Sequence, residues 1–185
     1  MSDAKTSILS LRLGLFASPL GPILTLHDSA GCLRALEFHE YEARMHRLLD
    51  RHYGAWRIEG REDGGPLAPR LQAYFEGDMR AFDDVRIATA GTPFQRQVWA
   101  ALRRIPPGRT RAYGDLAHEL GCRNGSRAVG LANGANPIAL VVPCHRVIGA
   151  DGRLTGFAAG LHRKAWLLRH EAAALGQGTL ELPLA

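Results

Sequence analysis

Cysteine is scarce in this 185-residue chain: Cys32, Cys122 and Cys144 are odd in number, lie far apart and form no C-x-x-C pair. That excludes a disulfide framework and a cysteine zinc site, and leaves free thiols. Also missing is any run approaching the roughly 18 apolar residues that cross a bilayer. The first twenty residues carry no secretory pattern, because Arg12 and polar residues interrupt the apolar positions. A cytoplasmic protein with no membrane partner is expected. Internal repeats and low-complexity segments are absent too. Acidic residues are outnumbered, 18 Asp and Glu against 23 Lys and Arg, for a net charge of +5. That balance suits a polyanionic partner without being specific for one.

What is present is a globular composition, 46% hydrophobic and 22% charged, enough for one good core or two small ones. Apolar residues alternate from Leu9 to Leu15, and Ile23 to His27 and Cys32 to Phe38 follow as further strands, separated by Ser18-Pro19-Leu20-Gly21 and Asp28-Ser29-Ala30-Gly31 turns. An antiparallel meander is expected. Helical spacing covers Tyr41 to His52 and Leu67 to Gly77, the Gly- and Pro-bearing stretch from Gly60 to Pro69 reads as a loop, and Val85 to Ile87 as a short strand. The pattern breaks near Ala88 to Gly91, which puts an N-terminal α/β domain at residues 1–88, a second domain at 89–175 and a loose tail at 176–185.

In the second half Thr92-Pro93-Phe94-Gln95 is a capping box with proline at the first helical position, and the helix it opens ends at Pro106-Pro107-Gly108. Asp115 to Leu120 closes at Gly121, and Ser126 can cap a second short helix from Arg127 to Asn133; two helices so joined suggest a helix-turn-helix. A last helix spans Leu161 to Ala173. The expected fold is α+β: an N-terminal antiparallel sheet with helices, then a mostly helical part containing the helix-turn-helix.

The chemistry concentrates after a strand-like apolar run from Asn136, in Pro143-Cys144-His145-Arg146-Val147. A lone cysteine there is commonly a buried, inert residue. Two neighbours argue for reactivity: His145 can accept the thiol proton, and Arg146 adds charge that favours a thiolate. Glu171 ends the last helix, where the macrodipole prefers a cation, and could orient His145 as the acid does in nucleophile–base–acid sets. A solvated surface Glu beside Arg169 is the plainer alternative.

Pro143-Cys144-His145-Arg146-Val147, with Asn136-Pro137 upstream and His170-Glu171 downstream, resembles the O6-alkylguanine-DNA alkyltransferases, or methylated-DNA–protein-cysteine methyltransferases. The likeness runs from Thr92 to Glu171, taking in Ile105 to Gly114, Ser126-Arg127-Ala128-Val129-Gly130 and Gly152 to Phe157, and the N-terminal half is laid out like the single-subunit, constitutive bacterial form. It implies an RNase H-like first domain and single-turnover repair of double-stranded DNA containing O6-alkylguanine or O4-alkylthymine, performed by a monomer without cofactor. Cys144 would accept the alkyl group and keep it. His145 would take its proton through a water, Glu171 would steady the imidazole, and Asn136 would brace the turn.

The resemblance further implies that the Tyr113 hydroxyl serves the ring nitrogen, that the carbonyls of Cys144 and Val147 accept from the exocyclic amine, and that Phe157 walls the pocket. The second helix would enter the minor groove, with Arg127 filling the vacated stack, Tyr113 crowding the phosphate, and Ser126, Ala128 and Ala132 at the DNA face. Phe157-Ala158-Ala159 stands where relatives often have Tyr, Ser or Ala, and Gly. A hydrogen bond to the guanine oxygen would therefore come from the Ala158 N–H, and Ala159 would put a methyl at the rim. Cys32 and His27 make no convincing four-ligand set, so no metal is expected. Two other functions fit a reactive Cys144: a helix-turn-helix regulator that senses alkylation or oxidation, and a thiol hydrolase. Hydrolases usually separate Cys from His widely in sequence. The alkyltransferase requires an ionised sulfur on the floor of a cleft that admits a purine.

Overall fold

A computed structural model describes residues 8–178. The three expected strands form β1 (Leu9–Ser18), β2 (Gly21–Asp28) and β3 (Leu33–Phe38), paired antiparallel in sequence. A fourth strand, β4 (Trp56–Asp63), lies parallel to β1 and gives the order β3-β2-β1-β4. It takes in Gly60 to Asp63, expected as loop. Arg57, Glu59, Arg61 and Asp63 all face solvent while the alternate positions are half-buried, so the strand is an edge protected by charge, and its charges hide it in a hydrophobicity reading. Val85 to Ile87 contributes only an isolated bridge from Ile87 to Leu33.

Helix α1 (Glu42–Tyr53) buries Met45, Leu48 and Leu49, and α2 (Ala68–Phe75) buries Leu71 and Tyr74. Helix α3 (Pro93–Arg103) starts on the expected capping box: Thr92 Oγ1 accepts from Gln95 N at 3.2 Å, and Gln95 Oε1 from Thr92 N at 2.9 Å. A two-residue strand β5 (Arg111–Ala112) leads into α4 (Tyr113–Glu119), which begins two residues before the expected Asp115. Helix α5 (Ser126–Gly134) has Gly125 at its N-cap, and Ser126 makes no capping bond, contrary to expectation. Gly125 is needed there for another reason, since a Cβ would fall 2.3 Å from Cys122 Sγ in the turn.

The apolar run from Asn136 does not form a strand. It folds as turns, with Leu140 buried at φ +67°, and ends in a 3-10 turn at Cys144–Arg146. Strand β6 (Val147–Ile148) then pairs parallel with β5, which sets Tyr113 beside the Cys144 turn. The chain's last described helix is α6 (Leu161–Ala174); most of the tail expected to be loose, residues 179–185, lies outside the described residues.

The largest apolar cluster draws Ile23, Leu33, Leu36 and Phe38 from the sheet together with Val98, Leu102, Ile138 and Val142 from the second half. Backbone bonds reinforce the join: Leu36 N donates to Pro137 O, and Ala139 N to Leu36 O. The sheet thus supports the turn that carries Cys144.

Candidate active site

Asn136 organises the turn from within, its Nδ2 donating to Val142 O at 2.8 Å and its Oδ1 accepting from Ile138 N at 3.0 Å. Both ends of its amide hold the loop shape. Leu140, a non-glycine in the left-handed region, stores on the order of 1–3 kcal/mol in the same loop. Cys144 emerges from it 7% exposed, facing a pocket shared with Asn133, Gly156, Phe157, Ala158 and Ala159 and, from the sheet side, Glu37 and Arg44. The free volume is about 10 Å³, room for one water.

Burial pushes the Cys144 thiol up, opposed by the Asn136 hydrogen bond and by Arg44 and Lys164. The resting group is a neutral thiol, not the expected ionised sulfur. Arg146 gives it no help. Its Nε and Nη2 bind Glu171 at 2.8–3.2 Å and its Nη1 donates to Ile105 O at 2.6 Å. The cations near the sulfur are Lys164, which burial lowers to about 8, and Arg44. Lys164 Nζ donates to Val147 O and to Thr155 O.

Glu171 is completely buried and is the hub of the site. Burial works to raise its carboxyl, but His145 and Arg146 hold it well below the usual range. Tyr74 donates its hydroxyl to Oε1 at 3.0 Å and Gly108 its N–H to Oε2 at 3.0 Å. His145 Nε2 lies 2.7 Å from Oε1. Against an ionised carboxylate Nε2 must carry the proton, which leaves Nδ1 as the acceptor. That Nδ1 is buried and unpartnered. Desolvation lowers the His145 pKa, so the ring rests neutral.

Tyr113 donates to the carbonyls of Gly156 and Thr155 at 3.3 and 3.4 Å. Burial and the nearby Cys144 raise its pKa, so it stays a protonated donor. Beside it, Ser126, Arg127, Gly130 and Leu131 line an open surface cleft of about 510 Å³ with Thr155 and Gly156. Arg127 and Ala128 are exposed, and Leu131 is 78% exposed, an unusual position for a leucine.

Three comparisons with known proteins agree. Residues 93–173 match the family model described as the DNA-binding domain of 6-O-methylguanine DNA methyltransferase. The methylated-DNA–protein-cysteine methyltransferase of Salmonella typhimurium is 52% identical over 158 residues, 84% of this chain and 92% of its own. That of Methanosarcina acetivorans is 46% identical, over 86% of this chain and 97% of its own. The chain belongs to the methylated-DNA–protein-cysteine methyltransferase family. Among solved structures, Mycobacterium tuberculosis OGT in complex with DNA aligns at TM-score 0.75 and 40% identity, over 88% of this chain and 94% of that one.

Within this family member, the residues expected at the site fall into two groups. Cys144, His145, Glu171, Asn136, Tyr113, Val147, Phe157, Ala158 and Ala159 surround one pocket or its hydrogen-bonded support; Ala159 is a buried wall and Ala158 the exposed edge. Ser126, Arg127 and Ala128 lie on the outer side of α5. Ala132 does not join them. It is 3% exposed, with Val129 and Asn133 on the buried side of α5, and its carbonyl accepts from Trp99 Nε1 of α3 at 2.8 Å. Leu131 occupies the outer face instead.

Sequence reading also missed Tyr74, Arg44 and Arg163. Arg44 reaches from α1 to the carbonyls of Gly134 and Asn136 while pairing with buried Glu37. Arg163 ties the Ala159 carbonyl to Leu20 O and Glu40. Each joins chain segments far apart in sequence, so no local motif announces it. Among the described residues no group of three or more His, Cys, Asp or Glu is placed to hold a metal, and no helix is long and apolar enough to cross a membrane.

Proposed function

We propose that this methyltransferase repairs DNA by moving the alkyl group of O6-alkylguanine onto Cys144, once per molecule. The observation that carries this is the buried line from the pocket to Glu171: a thiol on the pocket floor, and behind it a neutral imidazole whose Nε2 is committed and whose Nδ1 is free. A water between Sγ and Nδ1 would pass the thiol proton to His145. The sulfur then attacks the alkyl carbon, the S–C bond forms as the C–O6 bond breaks, and the electron pair leaves with guanine. Tyr113, held protonated, donates to the departing base. A soft thiolate suits displacement at saturated carbon. The resulting thioether has no route to hydrolysis, so the protein is a stoichiometric reagent that needs no cofactor.

The target lies within a stacked duplex, and extruding a base costs a few kcal/mol, roughly. We assign that task to α4 and α5 as a helix-turn-helix that enters the minor groove, with Arg127 in the vacated stack and Leu131 and Ala128 against the groove wall. The pocket must open for the purine, since it now has space for a water only. O4-alkylthymine, smaller and similarly alkylated on oxygen, is a second substrate; the protein acts as a monomer. Mass spectrometry of protein and oligonucleotide after mixing tests the function. The alkyl mass should leave the base and appear on Cys144, and Cys144→Ala should bind DNA but transfer nothing. DNA binding with no mass gain on the wild type would replace repair by sensing.

A further inference from the structure

The outer face of α5 is low except at two positions. Ser126, Ala128, Gly130 and Gly134 are small, and Val129, Ala132 and Asn133 turn inward and are buried. Only Arg127 and Leu131 are long, and four residues of helix put them on the same side. Arg127 suits a polyanion, but Leu131, 78% exposed, brings no charge and no polar atom. Exposure alone carries little, because leucines do occur on surfaces. Its place carries more. Leu131 lines the open cleft with Tyr113, Arg127 and Gly156, and Gly156 also borders the Cys144 pocket, so the leucine stands at the mouth through which a base must pass.

An apolar side chain offers DNA only shape and the exclusion of water. In the minor groove an A·T pair shows acceptors alone, whereas a G·C pair adds the 2-amino donor of guanine, which rises from the groove floor. A leucine pressed onto G·C meets that bulk and strips the donor of water without replacing the lost hydrogen bond. Over A·T the floor is flatter and no donor is stranded. We infer that Leu131 is a specificity-determining residue that reads the base pairs beside the lesion through the minor groove, favouring A·T over G·C. This rests on the proposed function and adds a sequence context to it. Leu131 lies about 6 Å along the helix from Arg127. With Arg127 in the vacated stack, the pairs it meets are within about two steps of the lesion, at roughly 3.4 Å each.

Single-turnover rates of methyl transfer to Cys144 test this, on duplexes whose two pairs on either side of O6-methylguanine are all A·T or all G·C. Wild type should prefer the A·T context. Part of that preference belongs to the DNA, since neighbouring A·T pairs open more easily, so the quantity read is the wild-type preference divided by that of Leu131→Ala. The DNA's own share cancels in the quotient, which should be about tenfold, the effect of one stranded donor. Leu131→Met, which keeps an apolar side chain of similar length, should behave as wild type. Inosine in place of the flanking guanines removes the 2-amino group alone and should return the quotient to about one. Both variants should unfold at the wild-type midpoint, because the side chain stands in solvent. A quotient of one with flanking guanines, or a raised quotient that persists with inosine, would overturn the inference. Absence of transfer by wild type in either context would instead bring down the proposed function.

Discussion

Two regions of the molecule contrast sharply in how their polar groups are treated. Around Glu171 nearly every lone pair and proton is matched: His145, Arg146, Tyr74 and the Gly108 N–H converge on one carboxylate in the interior. On the outer side of α5, Arg127 and Leu131 stand in solvent beside an open cleft. The first region has had its reorganisation done during folding, which is what a proton relay requires. The second has no such internal partners, and its groups stay open to solvent. The two meet near Cys144, since Gly156 borders both its pocket and the open cleft.

If that contrast is real, substitutions should separate the two regions by stability. The largest effect is expected for Glu171→Ala, which strands Arg146 and His145 without a counter-charge and should cost about 3–5 kcal/mol, measured by denaturant unfolding. Transfer should fall with it, because His145 loses the partner that fixes its tautomer. Acid should reproduce part of this in wild type. His145 is lowered from 6.5 and Glu171 from 4.5 in the folded protein. For both, the unfolded chain binds protons that the folded one refuses, so stability is complete above pH 6.5, declines as pH falls below it, and declines more steeply below 4.5. Glu171→Gln should flatten that lower limb in a Tm-against-pH series.

How much of this could be read beforehand follows the same division. The Cys144–His145 step, the Thr92 capping box and the α4–α5 pair are local, and period and capping chemistry reveal them. A carboxylate at a helix C-terminus stands out as misplaced, but spacing alone favours a solvated surface Glu beside Arg169, whereas Glu171 is completely buried. By contrast Tyr74 lies 97 residues from the Glu171 it serves, and Arg44 is separated by 92 from the Asn136 carbonyl it holds. Such contacts depend on how the sheet packs against the second half, which periodicity does not encode. Arg146 misled for a related reason: sequence adjacency put its charge beside the sulfur, but successive residues of a tight turn point apart, and Glu171 claims it. The apolar run from Asn136 looked like a strand because burial, not pairing, selects its residues.

A smaller effect should come from Tyr74→Phe. It removes one of several donors to Glu171 while keeping the ring that stacks on Phe82, so about 1 kcal/mol of stability is at stake. The transfer rate should drop only modestly, since Arg146 and Gly108 still hold the carboxylate. A loss as large as that of Glu171→Ala would mean that the hub is less redundantly held than its geometry implies.

The smallest effect on folding, and the sharpest on function, is expected at Arg127. Its side chain is exposed, and surface substitutions of this kind stay within about 0.5 kcal/mol. Arg127→Ala should therefore leave the unfolding curve where it is. If its role is to replace the extruded base, the substitution should slow repair of duplex DNA by about tenfold, and it should leave methyl transfer from free O6-methylguanine unchanged, since only the duplex reaction includes unstacking. Matched single-turnover rates on the two substrates decide this. Equal losses on both would place Arg127 in the chemistry or the pocket, and the division between a matched interior and an open surface would no longer hold.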